Sequence, residues 1–211
     1  MQLSISSLKH FPPLLKLQNL CKSLAVLDAV LAEEWESRYY SYNRNWAAGE
    51  EFFGMRDGCG DSLQILFQEG GCVVNGMMHE YPQPHKPAIT TGLPARYRNF
   101  MFGEPVDSTG TTFCMWTDAQ DKWQTGAPEN ASDSSADLLS VFDGDAKTYI
   151  QFATDYYEDT FTPTEKAKSV VNAIYKGEML TSEMILALNE AFEHWEQLQQ
   201  DLMEIGYKTA F

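Results

Sequence analysis

Basic residues are scarce in this sequence. Lys and Arg number 15 against 30 Asp and Glu in 211 residues, a formal net charge of -15. Nucleic acid and anionic membrane would repel such a chain, so neither is expected as a partner, whereas a basic protein would be attracted. The deficit is uneven. Residues 1–100 carry 10 acidic and 9 basic side chains, and residues 101–211 carry 20 and 6. The plainer reading of the same numbers is a solvated acidic surface that maintains solubility.

Cysteine is sparse too. Cys21, Cys59, Cys72 and Cys114 are widely spaced and form no C-x-x-C, which predicts free thiols in a reducing compartment rather than a disulfide framework. Long apolar runs are missing. The stretch "SLAVLDAVLA" is too short to span a bilayer and carries Asp28. The first residues are interrupted by Pro12-Pro13 and lack the order of a secretory signal. Together these features predict a cytoplasmic protein.

Catalytic signatures are lacking as well. There is no G-x-S-x-G elbow and no glycine-rich run followed by Lys-Ser/Thr. "HEYPQPH" places His79 and His85 six residues apart with Pro82 and Pro84 between them, so the two imidazoles cannot share a helix face and a metal. "DGCGDS" at 57–62 has Asp57 and Asp61 but not the remaining ligands of a calcium loop, and reads as a hairpin turn. Cys59 within it has no pattern that supplies a base. No catalytic residue, metal site or cofactor is predicted.

What is present is a foldable pattern. Hydrophobic residues make up 44% and charged residues 21%, which suits a globular core and argues against disorder. Leu17, Leu20, Cys21, Leu24, Leu27 and Leu31 recur at steps of three and four, predicting a helix over 14–33. The period then becomes two. Residues 35–42 read as a strand with aromatics on both faces, broken by Asn43 to Gly49, and central or covered rather than a lone edge. Strands are also expected at 51–56, 62–68, 72–78 and 111–117, with a short partner at "KWQT". Residues 79–94 read as a loop with four prolines, Ala95–Phe102 as a short helix, and 126–136 as a polar loop.

From 137 the pattern is helical. Residues 145–158 follow helical spacing. "TPTE" places Thr162 as N-cap, Pro163 at the first helical position and Glu165 in a capping box, with a stop near Gly177. One last helix is expected over 182–204. The fold class is α+β: an N-terminal helix, an antiparallel meander of about five strands, and C-terminal helices packed on the sheet, in one domain over 1–211.

Two surfaces are candidates for binding. Arg38, Tyr40 and Tyr42 share a strand face, and Arg56 on the next strand would extend it as a site for a small anion. The structural reading of the same residues is core cover with Arg38 paired across the strand, and it is favoured. Glu190, Glu193, Glu196 and Asp201 form the wet face of the last helix, the natural dock for a basic partner. "EWESRYYSYNRNW", "GEEFFGMRDGCGDSLQILF", "TTFCMWTD" and "FATDYYE" with the tail "EIGY" together resemble a family of uncharacterised bacterial cytosolic proteins. The resemblance spans most of the chain and implies no activity, cofactor or catalytic residue. The function expected is a non-enzymatic acidic protein-binding module, in concrete form an immunity-type neutraliser of a basic toxin. The alternatives are an anion-binding protein or enzyme using the aromatic and Arg face, and a structural protein that buries apolar surface in a homodimer.

Overall fold

A computed structural model describes residues 3–126 and 135–211. Helix α1 (Leu14–Leu31) starts directly after Pro13, as the Pro12-Pro13 pair predicts. Its first turns bury one stripe. From Ser23 to Leu31 every residue is buried, because the second half is enclosed all round. The sheet covers one side, and later helices cover the other.

The sheet has six antiparallel strands in sequence order. They are β1 (Tyr40–Ala47), β2 (Glu50–Arg56), β3 (Ser62–Gln68), β4 (Gly71–Met77), β5 (Phe113–Thr117) and β6 (Trp123–Thr125). Two hairpins close with two-residue loops, Ala48-Gly49 and Glu69-Gly70, where glycine takes φ of 76° and 73°. Gly76 serves a different need: a Cβ there would overlap the Phe113 ring across the strand pair.

The first strand departs from expectation. Residues 35–37 form a 3-10 turn, and the strand begins at Tyr40 and continues through Asn43 to Ala47. The reason is tertiary. Arg38 turns inward to bind carbonyls at the end of α1, so the chain reaches the sheet only after it. The strand is also an edge strand, not a central one, with a bulge between Asn43 and Ala47.

Both sheet faces are covered. Tyr40, Tyr42, Phe53, Met55, Ile65 and Val74 face α1 and the main core. Leu66, Val73, Cys114 and Trp116 face a second cluster with Ile89, Tyr97, Phe100 and Met101. That cluster is supplied by three single-turn helices: α2 (Lys86–Ile89), α3 (Arg98–Met101) and α4 (Val106–Thr109). The expected loop at 79–94 therefore holds one helical turn, and the expected short helix at 95–102 is present as a 3-10 turn and α3.

The rest is helical: α5 (Ser135–Leu139), α6 (Ala146–Tyr156), α7 (Glu165–Tyr175), α8 (Ser182–Leu188) and α9 (Trp195–Ile205). Of the loop expected over 126–136, residues 127–134 lie outside the described residues, and Ser135 and Ala136 belong to the first turn of α5. The cap of α7 is Thr164, not Thr162: the Thr164 hydroxyl accepts from the Ala167 N–H, and the helix begins two residues later than predicted. Its stop is as expected. The Gly177 N–H donates to the Ile174 carbonyl and the Glu178 N–H to the Ala173 carbonyl, with Gly177 at φ of 75°.

The single helix expected over 182–204 is two helices. Asn189 ends α8: its side-chain amide donates to the Val30 carbonyl and its side-chain oxygen accepts from the Ala191 N–H. Those side-chain bonds, one distant and one local, replace the helical ladder. Helix α9 then runs along the outer edge of β1. Asp201, Glu204 and Ile205 stand against Arg38 and against Tyr40, Ser41 and Tyr42, whose side chains point to both sheet faces.

Candidate functional site

A large cleft opens where α1, α6 and α8 end together. Its volume is about 890 Å³. The end of α1 contributes Leu31 to Glu34, the end of α6 contributes Tyr156, Tyr157 and Asp159, and the α8–α9 connection contributes Asn189 to Ala191. Four carboxylates line it (Glu33, Glu34, Asp159 and Glu190), together with the hydroxyls of Ser37, Thr160, Thr162 and Thr164. No Lys, Arg or His is among its lining residues. Acids at a helix C-terminus oppose the helix dipole, so Glu33 and Glu34 sit where local stability disfavours them.

The walls are fastened by side chains that satisfy the end of α1. Arg38 Nε donates to the Ala32 carbonyl at 2.9 Å, and its Nη2 donates to the Glu33 carbonyl at 3.1 Å and to Asp201 Oδ2 at 2.6 Å. This ion pair is largely buried, with the two side chains 6% and 12% exposed. Asn189 takes the Val30 carbonyl. At the mouth, His194 Nε2 meets Glu33 Oε2 at 2.8 Å.

Behind the wall lies Asp28, fully buried in the last turns of α1. Its Oδ2 accepts from the Tyr40 N–H and the Tyr157 hydroxyl, both at 2.7 Å, and its Oδ1 from the Tyr149 hydroxyl at 2.8 Å. Burial raises its pKa from 3.8 to about 6, and the three hydrogen bonds hold it from rising further. The same burial, and the carboxylate beside them, push the Tyr149 and Tyr157 phenols up. One acid thereby ties together α1, the start of β1 and α6.

The residues singled out from sequence are distributed differently. Arg38 is buried in the network just described. Tyr40 and Tyr42 lie in the main core, where the Tyr42 hydroxyl donates to Glu51 Oε2 at 2.7 Å. Arg56 projects from the opposite sheet face, stacked on the Trp35 ring at 3.5 Å and donating to the Trp35 carbonyl. The space beside Arg38, Tyr40 and Tyr42 is about 30 Å³, room for one water. Of the acidic set, Glu190 lines the main cleft, and Glu193 and Glu196 line a shallower one beside it. Asp201 is taken up by Arg38 and by the Gln197 amide.

Asp28, Glu33, Glu34 and Asp159 were not singled out by sequence reasoning. For Asp28 a signal exists: a lone acid inside the apolar run "SLAVLDAVLA" must be hydrogen-bonded if that run is core. The other three are gathered only by the fold.

The remaining motifs resolve into local structure. Asp57 Oδ1 accepts from the N–H groups of Cys59, Gly60 and Asp61, which makes 57–61 a side-chain-capped turn. His79 Nδ1 pairs with Asp61 Oδ1 at 2.8 Å. Among the described residues no group of three His, Cys, Asp or Glu is placed to hold a metal, and no helix is long and apolar enough to cross a membrane. All four cysteines are free, with Cys59 exposed and the others buried. No protein-family model matches this chain, and no curated protein or solved structure matches it either.

Proposed function

We propose that the protein is a non-enzymatic binding module that receives a basic protein partner at the acidic cleft. The observation that supports this reading is the lining of the cleft between α1, α6 and α8: four carboxylates and no basic side chain. A Lys or Arg side chain entering there meets opposite charge on three walls and hydroxyls able to accept hydrogen bonds. Tyr156, 43% exposed at the rim, adds an aromatic surface of the kind enriched at binding hot spots. Glu193 and Glu196 extend the acidic field beyond the mouth, and the net charge of -15 steers a basic partner from a distance. The concrete form is an immunity-type protein that neutralises a basic bacterial toxin. A toxin that acts on nucleic acid needs a basic surface for phosphate, and an acidic cleft competes for that surface.

The test begins with a basic protein retained from native lysate at low salt. Its affinity for the purified chain is then measured against salt. Affinity should fall steeply as salt rises. The combined variant Glu33→Gln, Glu34→Gln, Asp159→Asn, Glu190→Gln should bind about tenfold more weakly or worse, since close charge pairs at interfaces are worth more than 1 kcal/mol each. Equal binding by the variant, or no basic protein retained at low salt, would remove the proposal.

A further inference from the structure

The C-terminal half of α1 carries a carboxylate that the cleft lining does not include. Asp28 lies one turn before Leu31, which lines the cleft, and one hydrogen bond behind Tyr157, which lines it from α6. Its neighbours come from every element packed around it. Tyr39 and Tyr40 face it from the start of β1, Tyr149 and Tyr157 from α6, and Tyr175 from α7. None of its hydrogen-bond partners is a cation. Arg38, close by, is committed to Asp201.

Protonation of Asp28 need not change the shape of this network. Oδ2 can keep the Tyr40 N–H and the Tyr157 hydroxyl. Oδ1 then carries the proton and donates to the Tyr149 oxygen, whose hydroxyl turns round. The change is one of charge, in a low-dielectric position behind the cleft wall. A charge there acts on a cation in the cleft far more strongly than a solvated charge at the same distance.

We propose that Asp28 is a proton-linked fifth carboxylate of the cleft: a bound cation favours its ionised form, and its protonation weakens cation binding. This rests on the reading of the cleft as a cation site. The two effects are one coupling free energy seen from either ligand, so their magnitudes must agree.

The test uses a tetralysine peptide as the probe, titrated calorimetrically into the full chain near pH 5 and near pH 7.5, in buffers of different ionisation enthalpy. His194 touches the cleft carboxylate Glu33, so all arms are run in a His194→Gln background, which leaves no imidazole beside the cleft. Binding should tighten about 5-fold or more from the lower to the higher pH, with a proton released on binding near pH 6. Asp28→Asn should abolish both the pH dependence and the release. Should Asp28→Asn fold poorly, Tyr157→Phe decides the matter: it removes one hydrogen bond from the Asp28 carboxylate and should move the proton release to higher pH, and an unmoved release would overturn the coupling. Peptide binding without proton release, or with a pH dependence that Asp28→Asn leaves intact, would overturn the coupling alone. No peptide binding at either pH would overturn the cleft reading with it.

Discussion

Replacing Asp28 by Asn removes a buried negative charge and keeps its shape. The side-chain oxygen of Asn can accept from the Tyr40 N–H and the Tyr157 hydroxyl, and its amide can donate to the Tyr149 oxygen. In the native protein the Asp28 pKa is raised from 3.8 to about 6. The folded state therefore binds more protons than the unfolded state between those values. The Asp28 contribution to stability is fully present below about pH 4, declines as pH rises to about 6, and is flat above that. The difference between 3.8 and about 6 corresponds to roughly 3 kcal/mol. Asp28→Asn has no such group to ionise. Relative to the native chain it should gain up to about 3 kcal/mol between pH 4 and pH 7, less whatever the amide loses in fit. Urea unfolding of both chains at several pH values measures the difference directly, since other titrating groups cancel. A difference that does not change with pH would refute the assignment. Asp28→Ala provides the contrast: it strands two buried hydroxyls and one N–H and should destabilise at every pH.

Two further outcomes test the supports of the cleft. Arg38→Met keeps the buried stem but leaves two carbonyls without a donor and Asp201 without its cation, held only by the Gln197 amide, and should cost about 3–5 kcal/mol in urea unfolding. Leu24→Ala, at a position in α1 with no exposure, should cost about 2–5 kcal/mol by the same measurement without altering the pH dependence assigned to Asp28.

Strand β3 was legible because Leu63, Ile65 and Phe67 alternate between two turn signals, and a hairpin needs nothing from further away. Helix α1 was legible from its leucine stripe, although the stripe understated its burial: an all-round buried helix differs from an amphipathic one by its second set of neighbours, which are distant in sequence. The start of β1 was misread for a related reason. Trp35, Tyr39 and Tyr40 have strand propensity, but Arg38 is drawn to the end of α1, and that long-range bond outweighs local preference. The break at Asn189 was hidden because the apolar spacing continues through Phe192 and Trp195 on both sides of it. Only the bond from Asn189 to Val30 explains why the chain turns there. The cleft shares this character: Glu33, Asp159 and Glu190 come from three separate regions of the chain, and adjacent acids in sequence say nothing about which acids meet.

The position of α9 against the outer edge of β1 has a consequence during synthesis. Arg38 and Asp201, which fasten the two, are 163 residues apart in sequence. A ribosome adding about 5–20 residues per second takes on the order of 10 s to cover that distance. For that interval the meander can form while its first strand still offers unpaired N–H and C=O groups to any neighbouring nascent chain. The bulge after Asn43 and the polar Asn43, Arg44 and Asn45 in the exposed half of β1 are the only guards that the strand carries itself. Slower elongation through the C-terminal third should therefore appear as aggregation of newly made protein, with the stability of the finished chain unchanged.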